Sequence, residues 1–226
     1  MNQRSRAFSL LELLVTLAIL AVLATVVVSV AARVRQSGMA TQCLSNLRQV
    51  GAAFQAYASE SKGFVPRFGD YWDDRYPIWL VGISRFIMGR RPAAWSDLPS
   101  IGALQCPAHP TVGIPTAFNL NAFAFESEPG WKGSPPIQLG LVRSSSRVPW
   151  LVETPNLYSN DFLYTGSIWM EAHRTVEKPE HLESRVSWTR HGSFSNVLFA
   201  DGSAARVDRG GLSLERFDDG IRSRRW

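Results

Sequence analysis

The chain has 226 residues, 45% of them hydrophobic, which accommodates one membrane helix and one globular domain of ordinary size and makes two compact domains a squeeze. Its formal net charge is +5, and the charges are interspersed. No basic stripe with interleaved aromatics is present, which argues against nucleic-acid binding, and the terminal Arg222, Arg224 and Arg225 read as a solvated tail.

In chain order, a short basic leader with Arg4 and Arg6 meets Ala7. The run Phe8-Ser9-Leu10-Leu11-Glu12 follows, then twenty uncharged residues from Leu13 to Ala32. A secretory signal peptide places its small-residue cleavage site after the apolar stretch; here the plausible junction lies before it, so cleavage leaves the apolar helix attached. A helix from Phe8 to Ala32 is about 37 Å long at the standard rise, enough to cross a hydrocarbon core about 30 Å thick with some tilt. Arg4 and Arg6 hold the leader in the cytoplasm by the positive-inside tendency, although Arg33 and Arg35 on the far flank weaken that asymmetry. Glu12 is the anomalous residue, because an ionised carboxylate within a bilayer needs a partner, a proton or a position near the interface.

This order resembles the type III signal of type IV pilins and type II secretion pseudopilins. The resemblance implies cutting between Ala7 and Phe8 by a membrane prepilin peptidase and N-methylation of Phe8, with Ala7 standing where the family usually has Gly. It also makes Glu12 the family's assembly glutamate, attracting the N-terminal amine of Phe8 on a neighbouring subunit. The alternative is an interfacial Glu12 that only reaches headgroups. Removal of the leader lowers the net charge by two.

A second helical pattern continues without a clear break. Leu44, Leu47, Val50, Phe54 and Tyr57 recur at spacings of three and four, on one face of a helix, and Gly63 and Pro66 supply stop signals. The pattern predicts one helix from about Phe8 to Lys62, its first half in lipid and its second half amphipathic, with Gly38 as a weak point. The expected divisions are a leader over 1–7, a transmembrane helix over 8–35 and an extracytoplasmic globular domain over 36–226. In that compartment Cys43 and Cys106 are free to oxidise, and a bridge between them stabilises by roughly 4 kcal/mol in the chain-entropy model; two separate buried thiols are the alternative.

From Phe64 to Pro99 the chain is rich in Trp, Tyr, Arg and Pro without a steady period and reads as partly helical and partly irregular. Beyond Leu104, Thr116 to Phe125, Ile137 to Val142, Val148 to Glu153 and Phe162 to Trp169 are β-compatible runs. The clearest pair comes last: Ser195 to Ala200 and Ser203 to Val207 flank Asp201-Gly202, predicting a hairpin with a type I′ turn. The fold class is therefore α+β, pilin-like, with a long N-terminal helix packed on an antiparallel sheet.

His191, nine intervening residues and Asp201-Gly202 resemble the processing-associated H-x9-DG class of prepilin-like proteins. Cys43-Leu44-Ser45-Asn46-Leu47-Arg48-Gln49, Tyr57 with Gly63 and Pro66, and Cys106-Pro107 leading to Asn119 fit the same class. Its relatives often carry a second His after the Asp-Gly pair, where this chain has Ser203. Two groups do not make a metal site, and His109, His173 and His181 show no ligand spacing. The expectation is therefore no metal and no cofactor, with Asp201-Gly202 making the turn and His191 bonding to backbone near the start of the strand.

No nucleophile elbow, zincin helix or phosphate-cradling loop is present, which argues against an enzyme. The leading reading is a structural subunit of a type IV pilus or type II secretion pseudopilus. It lies in the bacterial inner membrane as a single-pass protein with a periplasmic C-terminal domain, and in a filament after assembly. The resemblance implies as partners the prepilin peptidase, other pilin-like subunits, an inner-membrane platform and, through it, an assembly ATPase. One rival is a binding module anchored by a pilin signal and displaying Trp72, Trp79, Trp95 and Trp131; another is an anchored hydrolase using His191 and Asp201.

Overall fold

The computed structural model describes residues 9–66, 79–90, 95–109, 117–120, 138–142, 145–153 and 186–213. The chain divides into two compact units, Met1–Gly38 and Met39–Trp226. Helix α1, Leu10–Glu60, begins in the first and ends in the second.

Helix α1 starts where its sequence says it should. Ser9 Oγ accepts the Leu11 N–H at 3.2 Å, while the Glu12 carboxylate reaches back to accept the Ser9 N–H at 3.0 Å. This reciprocal pair is a capping box, Ser at the N-cap and Glu three residues on, and it satisfies two amides that the helix leaves without partners. Along the first unit the large side chains from Leu10 to Val34 are exposed. The most apolar window of α1 has a mean hydropathy of 2.9 and none of it is buried; among the described residues this is the one helix long and apolar enough to cross a membrane. Its few polar side chains satisfy themselves. Thr16, Thr25 and Ser29 each donate to the carbonyl three residues back, at 2.8, 2.7 and 2.8 Å, as hydroxyls must where no water is available.

In the second unit α1 buries one stripe: Ala40, Cys43, Leu47, Val50, Phe54 and Ala58. The periodic face expected from sequence is there, rotated slightly, so that Leu44 and Tyr57 are half-buried at its margins. The helix ends in a Schellman-type cap. The Gly63 N–H reaches the Ala58 carbonyl at 2.7 Å, and Lys62 and Gly63 both adopt positive φ, 55° and 86°. Thus Gly63 does help stop the helix, but Lys62 bears the left-handed position directly after the cap.

Helix α2, Trp79–Met88, follows, then 3-10 turns at Trp95–Ser100 and Gly102–Leu104. Strands β1 (Phe118–Leu120), β2 (Pro149–Glu153), β3 (Phe194–Phe199) and β4 (Ala204–Asp208) form one antiparallel sheet in the order β1-β2-β3-β4. The α+β, pilin-like class expected from sequence is the class observed. Every residue of β2 is buried. A bulge between Pro149 and Leu151 lets Trp150 and the adjacent Leu151 both enter the same core, the re-aiming that a bulge provides. There Trp150 meets Phe54 edge-on at 6.0 Å, and Trp79 stacks on the same Phe54 at 5.8 Å.

Two local expectations need correction, and two others lie largely outside the described residues. Residues 138–142 form no strand: Leu139–Leu141 is a 3-10 turn, held by the Leu139 N–H on the Gly63 carbonyl at 2.8 Å and by a single bridge between Phe64 and Gln138. Of Thr116 to Phe125, the strand occupies Phe118–Leu120, and residues 121–125 lie outside the described ones, as does Phe162 to Trp169. The last hairpin forms, yet its turn is not type I′. The Gly202 N–H bonds the Phe199 carbonyl at 2.9 Å around Ala200 and Asp201, and Gly202 alone of the pair has positive φ, 86°. This is a three-residue loop ending in a left-handed glycine.

That glycine is seated on α1. A Cβ at Gly51 would lie 2.7 Å from the Gly202 carbonyl oxygen and 2.7 Å from Leu198 Cδ1, and one at Gly202 would meet the Gln55 side chain at 3.3 Å. The two glycines permit a helix-to-hairpin approach that side chains would block.

Candidate functional site

Four buried side chains from four elements converge beneath the sheet: Cys43 on α1, Cys106 just after the second 3-10 turn, Glu153 at the end of β2, and His191 in the turn that enters β3. Their donor atoms all lie within 4.8 Å of one another. Cys43 Sγ donates to Glu153 Oε1 at 2.7 Å, His191 Nε2 is 2.8 Å from the same oxygen, and Cys106 Sγ is 3.4 Å from the same His191 nitrogen.

The surroundings fix each member. Glu153 Oε2 accepts the Asn196 backbone N–H at 3.1 Å and the Ser195 hydroxyl at 3.4 Å, and Oε1 accepts from Asn196 Nδ2 at 3.0 Å. Asn46, three residues after Cys43 on the same face, donates through Nδ2 to the carbonyls of Gly102 and Gln105 at 2.9 and 2.7 Å. It thereby straps the segment that carries Cys106 to the helix that carries Cys43. The His191 ring stacks on Phe194 with centroids 5.9 Å apart.

The electrostatics follow from this crowding. For Cys43, burial pushes the thiol well above its ordinary range, reinforced by the Cys106 thiol and the Glu153 charge. For Cys106, the Cys43 hydrogen bond lowers the pKa; burial opposes this, but the His191 contact adds to it and the value falls to about 5. Burial works against a charged Glu153, yet the hydrogen bond and charge of His191 outweigh it and hold the carboxyl below its usual range. Burial likewise disfavours imidazolium at His191, but Cys106 and Glu153 together raise it to about 9.

A cysteine, a histidine and a glutamate side by side invite comparison with a nucleophilic triad, but the geometry is wrong for one. A triad needs the nucleophile on one ring nitrogen and the orienting carboxylate on the other. Here Nε2 faces both Cys106 and Glu153, while Nδ1 is buried without a hydrogen-bond partner among the described residues. The four groups converge on a point and form no relay.

Several sequence expectations are revised. Cys43 and Cys106 are brought together as predicted for a bridge, but both are free thiols, and each is engaged by a different polar partner. His191 bonds the Glu153 carboxylate, not backbone, because the turn before β3 faces the end of β2. Asp201 is elsewhere: its carboxylate accepts the Ser203 N–H at 2.9 Å and hydroxyl at 2.6 Å within the hairpin loop. The nine-residue spacing is thus one strand with its two turns, about 20 Å of β3 separating His191 from Asp201, so no site uses both. Expecting no metal site rested on that pair, and the fold supplies a different set. Glu153 went unnoticed in the sequence, although a carboxylate closing the apolar run Trp150-Leu151-Val152 is a usable signal. Among the aromatics, Trp79 is buried in the core, and Trp72 and Trp131 lie outside the described residues. Glu12 sits in the capping box, and Ala7 and Phe8 also lie outside the described residues.

Residues 2–28 match the family model described as the prokaryotic N-terminal methylation motif, so the chain carries a prepilin-type N-terminal signal. No curated protein and no solved structure matches the chain.

Proposed function

We propose that this chain is the precursor of a pilin-like structural subunit, processed at its N-terminus and assembled through α1 into a type IV pilus or type II secretion pseudopilus. The observation that carries the reading is the pairing of a methylation motif over residues 2–28 with a continuous, wholly exposed apolar stretch of α1 directly behind it. On this reading residues 1–7 are a leader removed by prepilin peptidase between Ala7 and Phe8, and Phe8 becomes the methylated N-terminus. Residues 8–35 hold the subunit in the inner membrane with residues 36–226 on the extracytoplasmic side. After assembly the apolar stretch exchanges lipid for neighbouring helices, and the work of the subunit is mechanical. Its partners are other pilin-like subunits, the membrane platform and, through it, the assembly ATPase.

Mass spectrometry of the mature N-terminus tests the processing step: a chain beginning with methylated Phe8 is expected, and one beginning after Ala32 refutes the reading. Glu12 needs a finer test, since the carboxylate also caps α1. Gln serves at that position of a capping box as well as Glu. Glu12→Gln therefore keeps the helix start and removes only the charge, whereas Glu12→Ala removes both. If assembly depends on attraction to the neighbouring Phe8 amine, both variants insert and are processed but fail to enter filaments. Wild-type incorporation of Glu12→Gln would show that the charge is dispensable.

A further inference from the structure

We propose that Cys43, Cys106, Glu153 and His191 form a structural zinc site. The set combines two sulfurs, an imidazole and a carboxylate, the ligand types that suit a tetrahedral zinc ion. The donor atoms come from one helix, one loop, one strand end and one turn, yet all lie within 4.8 Å. Bonds of about 2.0–2.3 Å at tetrahedral angles place ligand atoms about 3.3–3.8 Å apart. Of the observed contacts, 3.4 Å lies in that range, 2.7 and 2.8 Å are about half an ångström shorter, and no pair of donor atoms exceeds 4.8 Å. Accommodating an ion therefore requires displacements of under about 1 Å, chiefly of Glu153 Oε1, which sits between Cys43 and His191.

Two further features support the assignment. The first is convergence: His191 presents a single nitrogen, Nε2, to both Cys106 and Glu153, so that one ring atom points into the cluster. The second is the shell behind Glu153. Three donors, from Ser195 and from the backbone and side chain of Asn196, hold the carboxylate in place, as outer groups hold metal-binding carboxylates elsewhere. Four protein ligands leave no open position, so the ion binds α1 to the sheet and has no substrate to activate.

The test uses the full chain purified in detergent, without chelator, and Zn2+ and Co2+ as probes. Elemental analysis is expected to give one zinc per chain after incubation with Zn2+ and removal of excess. The zinc absorption edge should report two sulfur ligands at about 2.3 Å and two lighter ligands at about 2.0–2.2 Å. Co2+ should give the intense visible bands of a tetrahedral site with thiolate-to-cobalt charge transfer. Cys106→Ser and His191→Ala are each expected to abolish stoichiometric binding. Because either variant could misfold, the wild-type spectrum is the decisive readout, as it identifies the ligands without substitution. A Cys43–Cys106 disulfide in metal-exposed native protein, or two alkylatable thiols with no retained zinc, overturns the proposal. A zinc spectrum lacking sulfur ligands overturns it too. None of these readouts depends on filament assembly, so failure here leaves the pilin-like reading standing.

Discussion

Gly51→Ala is the sharpest test of how the last hairpin meets α1. An Ala in a helix interior is worth about 1 kcal/mol over Gly, so on propensity alone the substitution stabilises. Against this, the new Cβ would sit 2.7 Å from the Gly202 carbonyl oxygen and 2.7 Å from Leu198 Cδ1. Neither neighbour yields readily: one is backbone within a hydrogen-bonded turn, the other a buried core side chain. Relief demands moving the hairpin off the helix by roughly half an ångström, and overpacking of this kind costs about 1–3 kcal/mol. The upper half of that range applies, leaving a net loss of about 1–2 kcal/mol, or about 2–8 °C in the unfolding midpoint of a domain this size. Gly38→Ala is the matched control, since its Cβ would meet nothing within 4 Å; it should leave the midpoint unchanged or raise it. Thermal unfolding of the full chain in detergent, followed by near-ultraviolet circular dichroism of the buried tryptophans, compares the two. Equal stabilisation by both substitutions refutes the close approach.

Gly202→Val combines that contact with a φ of 86°, a region that β-branched residues avoid, and should lower the midpoint further than Gly51→Ala in the same assay. Asn46→Ala removes the two hydrogen bonds to the Gly102 and Gln105 carbonyls and is expected to cost about 1–3 kcal/mol. It should also speed alkylation of Cys106, measured by mass spectrometry, because the strap on its segment is gone; an unchanged rate would mean that packing alone holds the segment. Ser9→Ala removes one half of the capping box and should cost about 1 kcal/mol of helix stability, read as faster amide exchange over the first turn of α1.

What the sequence disclosed and what it concealed divide by the range of the interaction. Helix α1 was legible from end to end because its determinants are local: twenty uncharged residues, then Leu47, Val50 and Phe54 at helical spacing, then Gly63. The last hairpin is legible for the same reason, though its turn type is not. A type I′ turn would use both Asp201 and Gly202 at positive φ, whereas the strands pair Leu198 with Ala204, which leaves a longer loop and demands positive φ of Gly202 alone. Residues 138–142 looked like a strand because they are apolar, yet their backbone partners lie across the chain at Gly63 and Phe64. The cluster was the least legible feature. Cys43 and Glu153 are 110 positions apart, and no local pattern announces that a helix stripe and a strand end will meet. His191 and Asp201 are near in the chain and invite pairing, and β3 carries them apart.

The H-x9-DG spacing acquires a physical meaning from this geometry. At the start of β3, His191 joins Glu153 and, through it, Cys43; Asn196 Nδ2 adds a bond to the Ala40 carbonyl at 3.4 Å. At its end, Gly202 rests against Gly51 and Gln55. Both ends of one strand are therefore fastened to the same helix, in the same order along each, at helix positions eight residues or about 12 Å apart. The nine-residue spacing thus carries the chain along β3 from one fastening to the other. On the filament reading, force enters the globular unit along α1, and a helix fixed to the central sheet at a single point could pivot on it. Two fastenings remove that freedom, one through a buried polar cluster and one through a glycine contact that tolerates no side chain. Loosening either should let the hairpin shift on the helix, so substitutions that lower the unfolding midpoint, such as Gly51→Ala, should also weaken assembled filaments under load.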